Sequence, residues 1–167
     1  GVSATADAIL IPEIPYDIHK IAEKVLERER SGRHFSIVVA AEGARPLAGE
    51  RAVAASASAG RMERLGGIGP KVAAELEAIT GKEAREVTLG HLLRGGRPTS
   101  FDRLIALRFG AAAVRALDEG QRGIMVALDP PTVNYVPLAD SIQRMKTVPP
   151  DCDTLLTARD LGIAFGD

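Results

Sequence analysis

A basic segment at residues 88–103, TLGHLLRGGRPTSFDR, concentrates side chains that are suited to binding an anion. Around its glycine pair it holds His91, Arg94, Arg97 and Arg103, with Asp102 as the one acid. A glycine lets a ligand approach the backbone, and a guanidinium group can bind phosphate through two parallel charge-assisted hydrogen bonds. A basic surface turn has the same residue types, so composition alone leaves both interpretations open.

A predicted strand-helix-strand unit precedes this segment and supplies a carboxylate. Residues 8–11 and 35–41 are short apolar runs, which are typical of strands buried on both faces. Between them Asp17 can cap a helix that ends near Ser31-Gly32. Its apolar residues recur at helical spacing: Ile18, Ile21, Ala22, Val25 and Leu26. The pattern predicts a parallel βαβ unit.

The polar candidates follow the predicted strands. Ligands of parallel sheets bind outside the carboxyl ends of the strands, and Glu42 comes directly after the second strand. Residues 83–89 are predicted as a third strand that contains Arg85 and leads to His91 and Arg94. We therefore expect Glu42, His91 and Arg94 to line one crevice. A solvated loop carboxylate at Glu42 and a solvent-facing strand charge at Arg85 are the alternatives.

Four stretches resemble the 6-phosphofructokinase family: ADAILIPE, VVAAEG, the Gly-Ile-Gly turn with its helix, and TLGHLLRGGRPTSFDR. The resemblance covers residues 1–167 and corresponds to the C-terminal, fructose-6-phosphate-binding part of a family member. It implies an α/β fold, namely the C-terminal portion of a three-layer, parallel-sheet, Rossmann-like phosphofructokinase. The implied reaction is the glycolytic transfer of a phosphoryl group from ATP or pyrophosphate to the 1-hydroxyl of fructose 6-phosphate, with Mg²⁺.

The resemblance also implies roles for single residues. Glu42 would accept hydrogen bonds from sugar hydroxyls, and His91 and Arg94 would bind the 6-phosphate. Arg85 would reach the sugar phosphate of a neighbouring subunit, which implies a homodimer or homotetramer. Allosteric family members bind a nucleotide or phosphoenolpyruvate near the positions of Asp7 and Arg33. These two are candidate effector-binding residues, although we interpret both as plain surface charges.

The donor side of the reaction has no counterpart in these 167 residues. The family's Gly-Gly-Asp donor loop, catalytic aspartate and Met-Gly-Arg loop are not found, nor is a P-loop or a paired-aspartate metal motif. No catalytic residue and no metal ligand is therefore assigned, and the Mg²⁺ ligands are expected upstream. The chain begins without a helix cap or an initiator residue, which is typical of a piece of something longer. Alone, it is predicted to be inactive.

Composition restricts the class of protein. A chain of 167 residues with 46% hydrophobic and 26% charged residues suits one soluble globular domain. The net charge of −1 argues against a protein that binds nucleic acid non-specifically. Cys152 is the one cysteine, so no intrachain disulfide can form, and a reducing cytoplasm fits. No apolar run approaches the roughly 20 residues of a membrane span.

Two other functions stay open. The sequence GIGPKVAAEL, residues 67–76, resembles the hairpin of helix-hairpin-helix modules, whose backbone N–H groups bind a DNA phosphate. The motif occurs once and the chain is slightly acidic, which count against a DNA-binding protein. The other alternative is a non-catalytic sugar-phosphate-binding or regulatory subunit, because a fold alone does not establish catalysis.

The remaining elements are predicted from caps and periodicity. Thr99 or Ser100 can cap a helix that extends to about residue 117, and Asp102 is interpreted as a structural pair with Arg103. The expected buried residues of this helix are Phe101, Leu104, Ile105, Ala112 and Ala113. Strands are predicted at 123–128 and 133–136, and helices at 138–145 and 154–161. Residues 43–60 are predicted as a surface loop or the frayed start of a helix, with helical propensity at 52–59 as the alternative.

Overall fold

The computed structural model of the chain describes residues 1–47, 67–143 and 146–167, together with the backbone alone of 53–55 and 64–65. These residues form two compact units. The first consists of Gly1–Thr88 and Thr147–Asp167, and the second consists of Leu89–Lys146. The chain length suggested one domain, whereas its residues group into two units.

The first unit is built on the predicted βαβ motif, which is confirmed. Strands β1 (Ala8–Leu10) and β2 (Val38–Ala40) pair in parallel, and helix α1 (Ile18–Arg30) connects them. Asp17 caps α1 by accepting a hydrogen bond from the backbone N–H of His19 at 2.9 Å. β2 is shorter than the predicted strand at 35–41, because the apolar residues that precede it are exposed to solvent.

β1 lies between two hydrophobic clusters, since consecutive strand residues point to opposite faces. Ala8 and Leu10 pack on one side with α1 and with helix α2 (Ile68–Thr80). Ile9 packs on the other side against the C-terminal segment, which includes helix α5 (Asp153–Asp160). The complete burial of β1 agrees with the predicted core strand, and each large apolar side chain buried here contributes about 1.5–3 kcal/mol.

Two predictions of local structure in this unit are wrong. Residues 83–89 have no regular secondary structure, although they were predicted as a third strand. Val87 and Leu89 are exposed, so no buried face holds this stretch in a sheet. Within the stretch of predicted helical propensity at 52–59, strand β3 (Val53–Ala55) pairs antiparallel with β4 (Arg64–Leu65). The other residues of that stretch lie outside the described part.

The second unit contains a helix and a hairpin. A 3-10 turn at Gly90–Arg94 precedes helix α3 (Ser100–Asp118). Strands β5 (Ile124–Asp129) and β6 (Thr132–Pro137) form an antiparallel hairpin, and helix α4 (Leu138–Gln143) follows. The predicted elements of this region are confirmed within a few residues. No helix of the described residues is long and apolar enough to cross a membrane.

The prediction of the buried face of α3 was mostly wrong. Ala112 is buried as expected, but Phe101, Leu104 and Ala113 are exposed. These residues do lie in one helix, as their spacing predicted. The unit, however, offers α3 one covered side only, where Ala112 and Ala116 lie against its neighbours. The predicted pairing of Asp102 with Arg103 is also wrong, because the Asp102 carboxylate caps the helix instead.

Candidate functional site

Glu42 lies where the sequence predicts, in an exposed turn just beyond the carboxyl end of β2. The N–H of Ala41 donates to the carbonyl of Leu10 at 2.9 Å, which extends the parallel ladder to the start of the turn. The N–H of Ala44 then donates to the carbonyl of Ala41 at 2.9 Å and closes the turn. Ala44 is fully buried, so the turn that carries the carboxylate is anchored in the core.

A close contact and backbone hydrogen bonds also hold the chain around this turn in place. A Cβ at Gly43 would come within 2.9 Å of Pro12 Cγ, so the turn lies directly against the residues after β1. The backbone N–H of Tyr16 donates to Arg45 at 3.0 Å, and the Leu47 N–H donates to Tyr16 at 2.7 Å. Burial, with a smaller contribution from the charge of Glu75, raises the pKa of the Tyr16 phenol to about 12, so this anchor stays neutral.

Glu13 stands beyond the end of the neighbouring strand β1 and has a structural contact. Its Oε1 accepts a hydrogen bond from the backbone N–H of Val148 at 2.9 Å. Its Oε2 is buried and has no hydrogen-bond partner among the described residues. The contact ties the C-terminal segment to the carboxyl edge of the sheet, which is a structural role.

His91 and Arg94 share the 3-10 turn Gly90–Arg94, and both are exposed. Residues three apart in a 3-10 helix lie one above the other, so the imidazole and the guanidinium project from the same side of the turn. The turn ends where the Gly95 N–H donates to Leu92 at 3.0 Å. Gly96 follows with φ of 100°, a conformation that favours glycine. The structure therefore brings these two predicted residues together.

The segment that precedes His91 and Arg94 differs from the predicted strand. His91 does not follow a strand, because residues 82–89 are irregular. Arg85 lies in this irregular segment, not within a strand, and its exposed Nε donates to Glu83 Oε1 at 2.9 Å. A surface ion pair of this kind contributes about 0–1 kcal/mol, so Arg85 can be redirected to another anion at little cost.

The four candidates fall in different units. Glu42 and Arg85 belong to the first unit, whereas His91 and Arg94 belong to the second. Each unit presents its own candidates on exposed loops or turns. That Glu42, His91 and Arg94 line one crevice, and that Arg85 reaches the site of a neighbouring subunit, stay predictions.

The two candidate effector residues have different environments. Asp7 is buried: its Oδ1 lies 2.6 Å from Nη1 of Arg28, and its Oδ2 accepts from the Ile37 N–H at 2.8 Å. Its interpretation as a surface charge is therefore wrong, because both oxygens hold α1 and the approach to β2. Arg33 is exposed, as expected. The signal that was missed is the position of Asp7, directly before a strand buried on both faces.

A capping box fixes where the basic segment ends. The backbone N–H of Thr99 donates to Asp102 Oδ2 at 2.8 Å, and the N–H of Asp102 donates to Thr99 Oγ1 at 3.2 Å. The bond from the Thr99 N–H, followed by the bond from its hydroxyl at 2.8 Å, lowers the pKa of Asp102 below its ordinary value. α3 therefore starts at a defined residue, Ser100, six positions beyond Arg94.

The residues that the structure describes do not form a metal site. In the part of the chain that the structure describes, no group of three or more His, Cys, Asp and Glu side chains could hold one. Magnesium thus stays an expectation that rests on the family resemblance alone.

The fold and these side chains define an α/β protein with an exposed candidate anion-binding turn. The family model for phosphofructokinase matches residues 1–117, and the chain belongs to this family. It is 50% identical over its whole length to the ATP-dependent 6-phosphofructokinase of Chloroflexus aurantiacus, covering 45% of that protein. It is 43% identical to ATP-dependent 6-phosphofructokinase 2 of Clostridium perfringens, covering 46% of it. The chain thus spans less than half the length of these curated relatives.

Solved structures agree on the fold. The pyrophosphate-dependent phosphofructokinase of Marinobacter aquaeolei matches 98% of this chain with a TM-score of 0.66 at 22% identity, and the match covers 42% of that protein. A phosphofructokinase from Saccharomyces cerevisiae matches 86% of the chain with a TM-score of 0.61 at 28% identity, over 18% of its own length. The predicted α/β phosphofructokinase fold is confirmed.

The same findings weigh against the helix-hairpin-helix alternative. Gly67 does precede a helix, α2, and adopts the left-handed conformation with φ of 80°. The residues Arg64 and Leu65 before it form strand β4 rather than a preceding helix. The Gly-Ile-Gly turn here is accordingly part of a phosphofructokinase fold.

Proposed function

We propose that this chain is the sugar-phosphate-binding part of a 6-phosphofructokinase, which transfers a phosphoryl group to the 1-hydroxyl of fructose 6-phosphate. The observation that carries the proposal is the 3-10 turn with His91 and Arg94 on one side and glycines beside them. An imidazole and a guanidinium next to accessible backbone form a suitable site for a phosphate monoester. The names of relatives at 40–50% identity support this reaction.

The candidate residues take complementary roles in this proposal. His91 and Arg94 bind the 6-phosphate through charge-assisted hydrogen bonds, and Glu42 accepts hydrogen bonds from the sugar hydroxyls. Arg85 reaches the sugar phosphate of a neighbouring subunit, so the active protein is a homodimer or homotetramer. The high exposure of Arg85 and its weak partner Glu83 support this role, because both leave the guanidinium available. Glycolysis in the cytoplasm is the corresponding setting.

The donor and the catalytic groups lie outside these residues. Phosphoryl transfer depends on positioning of two substrates and on electrostatic stabilisation of the transferred group, and this chain provides for the acceptor alone. Mg²⁺ and the carboxylate that takes the hydroxyl proton would come from other parts of the protein. ATP is the favoured donor, since the relatives above 40% identity cited here are named as ATP-dependent enzymes.

Substitution of Arg94 tests the proposal in the full-length protein that contains this chain. Loss of a hydrogen bond to a charged group is worth about 1.5–3 kcal/mol. Arg94→Ala should therefore raise KM for fructose 6-phosphate roughly 10- to 100-fold and leave KM for the donor nearly unchanged. Arg122→Ala, at an exposed arginine outside the basic segment at residues 88–103, is the matched control and should change neither value strongly.

Two results would contradict the assignment. An equal rise in both Michaelis constants would place Arg94 outside the sugar-phosphate site. Binding of fructose 6-phosphate by the full-length protein without any turnover would favour the non-catalytic, regulatory alternative.

A further inference from the structure

The irregular segment that follows helix α2 is attached to the helix itself. The backbone N–H of Lys82 donates to Oγ1 of Thr80, the last residue of α2, at 3.2 Å. About one helical turn further back, the N–H of Ala84 reaches Oε1 of Glu77 at 2.7 Å. The segment therefore runs back along α2, from the C-terminal end of the helix toward its start.

A third contact continues this course. A Cβ at Gly69 would lie 3.8 Å from both Cβ and Cδ of Glu86, so the side chain of Glu86 passes close to the first turn of α2. A carboxylate is favoured at this place, because the first turn of a helix carries a partial positive charge. The contacts with α2 are thus made by every second residue of the segment, at positions 82, 84 and 86.

This alternation decides where Arg85 points. Successive side chains of an extended chain lie on opposite sides, so a residue between two helix-facing positions faces away from the helix. The side chains of Glu83 and Arg85 are 71% and 84% exposed, as this arrangement requires, whereas Ala84 between them is half-buried. The hydrogen bond to Glu77 therefore holds the residue next to Arg85 against α2 and directs the guanidinium group into solvent.

We propose that Glu77 is a positioning residue for the sugar-phosphate site. Through the N–H of Ala84 it fixes the backbone beside Arg85, so that the guanidinium projects away from its own subunit toward the phosphate of a neighbour. This role of Glu77 rests on the proposed function, which gives Arg85 that phosphate. Binding an anion costs an arginine side chain its rotamer freedom, and a backbone that is already fixed adds no further ordering cost. A hydrogen bond to a carboxylate suits this purpose, because it is stronger than one between neutral groups.

The test uses the full-length protein that contains this chain. Glu77→Ala should raise KM for fructose 6-phosphate about three- to tenfold and leave KM for the donor unchanged, because one hydrogen bond is lost while Arg85 itself remains. Alanine is the best helix former, so the substitution leaves α2 intact. Glu77→Gln retains an acceptor oxygen and should restore most of the affinity. Glu23→Ala, at an exposed position of α1, is the matched control and should change neither constant.

A double-mutant cycle shows whether Glu77 acts through Arg85. Arg85→Ala alone should raise KM for fructose 6-phosphate roughly 10- to 100-fold. Adding Glu77→Ala to this variant should change KM by less than about twofold, because the guanidinium that Glu77 positions is already absent. Hydrogen exchange of residues 82–88, measured by mass spectrometry, should be about fivefold faster in Glu77→Ala than in the wild-type protein.

The outcomes separate positioning by Glu77 from binding by Arg85. An unchanged KM in Arg85→Ala would remove the role of Arg85 in the proposed function, and with it the role of Glu77. A raised KM in Arg85→Ala together with an unchanged KM in Glu77→Ala would overturn the role of Glu77 alone. An equal fold-change from Glu77→Ala with and without Arg85 would also overturn it, since that is the result of a general structural effect. Hydrogen exchange that Glu77→Ala leaves unchanged would show that the bond to Ala84 does not hold the segment.

Discussion

At the scale of single residues, Glu42 and the pair His91–Arg94 have different chemistry and should be separable by experiment. Glu42 can only accept hydrogen bonds when it is ionised, so it suits sugar hydroxyls and repels a phosphate. His91 and Arg94 donate hydrogen bonds and suit the phosphate. Both groups are exposed on short, closed turns, so neither requires unfolding to meet a ligand.

Glu42→Gln should therefore affect the sugar and not the phosphate. A neutral amide is a weaker acceptor than a carboxylate, and the loss of about 1 kcal/mol should raise KM for fructose 6-phosphate about fivefold. Competitive inhibition by inorganic phosphate should be unchanged, whereas Arg94→Ala should weaken it. Steady-state kinetics of the full-length protein measure KM for fructose 6-phosphate and the inhibition constant of phosphate. Glu23→Gln, at an exposed position of α1, is the control. A change in phosphate inhibition at Glu42→Gln would contradict the division of roles.

The residues that sequence reasoning located are those whose position is set locally. Glu42 follows an apolar run, and His91 and Arg94 are three apart in a glycine-rich segment, so their placement on turns follows from local sequence, whereas their binding roles stay predictions. Asp7 was misread because its partners, Arg28 and the Ile37 N–H, come from elements 21 and 30 positions away. The contact between Asp7 and Arg28 is recognisable only when helix α1 is packed against strand β1.

At the scale of secondary structure, helix starts were predicted better than strands. Asp17 and Thr99 cap α1 and α3 through bonds within three residues, so their sequence signature is sufficient. A strand needs a neighbour and a buried face. Residues 83–89 have β-branched residues but neither of these, and they remain irregular.

The cap of α3 should depend on pH through Asp102. Its folded-state pKa is lowered by the bonds from Thr99, so the ionised carboxylate favours the capped helix above the ordinary carboxyl value near 4. This contribution disappears as the pH falls through the lowered folded-state pKa. In an NMR titration, the Thr99 amide should be unchanged from pH 7 to about 5 and should shift below about pH 4. In Asp102→Asn the shift of the Thr99 amide should be absent. An identical shift in the variant would show that Asp102 is not its cause.

At the scale of the whole molecule, the stretches that resemble the family predicted the fold, whereas chain length does not reveal the two compact units. Four separate stretches of sequence resemble the family, and each of them belongs to a different part of the fold. The two compact units are not visible in the composition, because they are a property of how the chain packs rather than of its residue content.

Catalysis should accordingly require more than these 167 residues. Incubated alone with fructose 6-phosphate, Mg²⁺ and either ATP or pyrophosphate, the chain should form no fructose 1,6-bisphosphate, because it lacks a recognisable donor loop and a catalytic aspartate. Sensitive detection of the bisphosphate with an aldolase-coupled assay measures this, and the full-length protein is the positive control. Turnover by the chain alone, abolished by Arg94→Ala, would reveal a donor site among residues to which no such role is assigned.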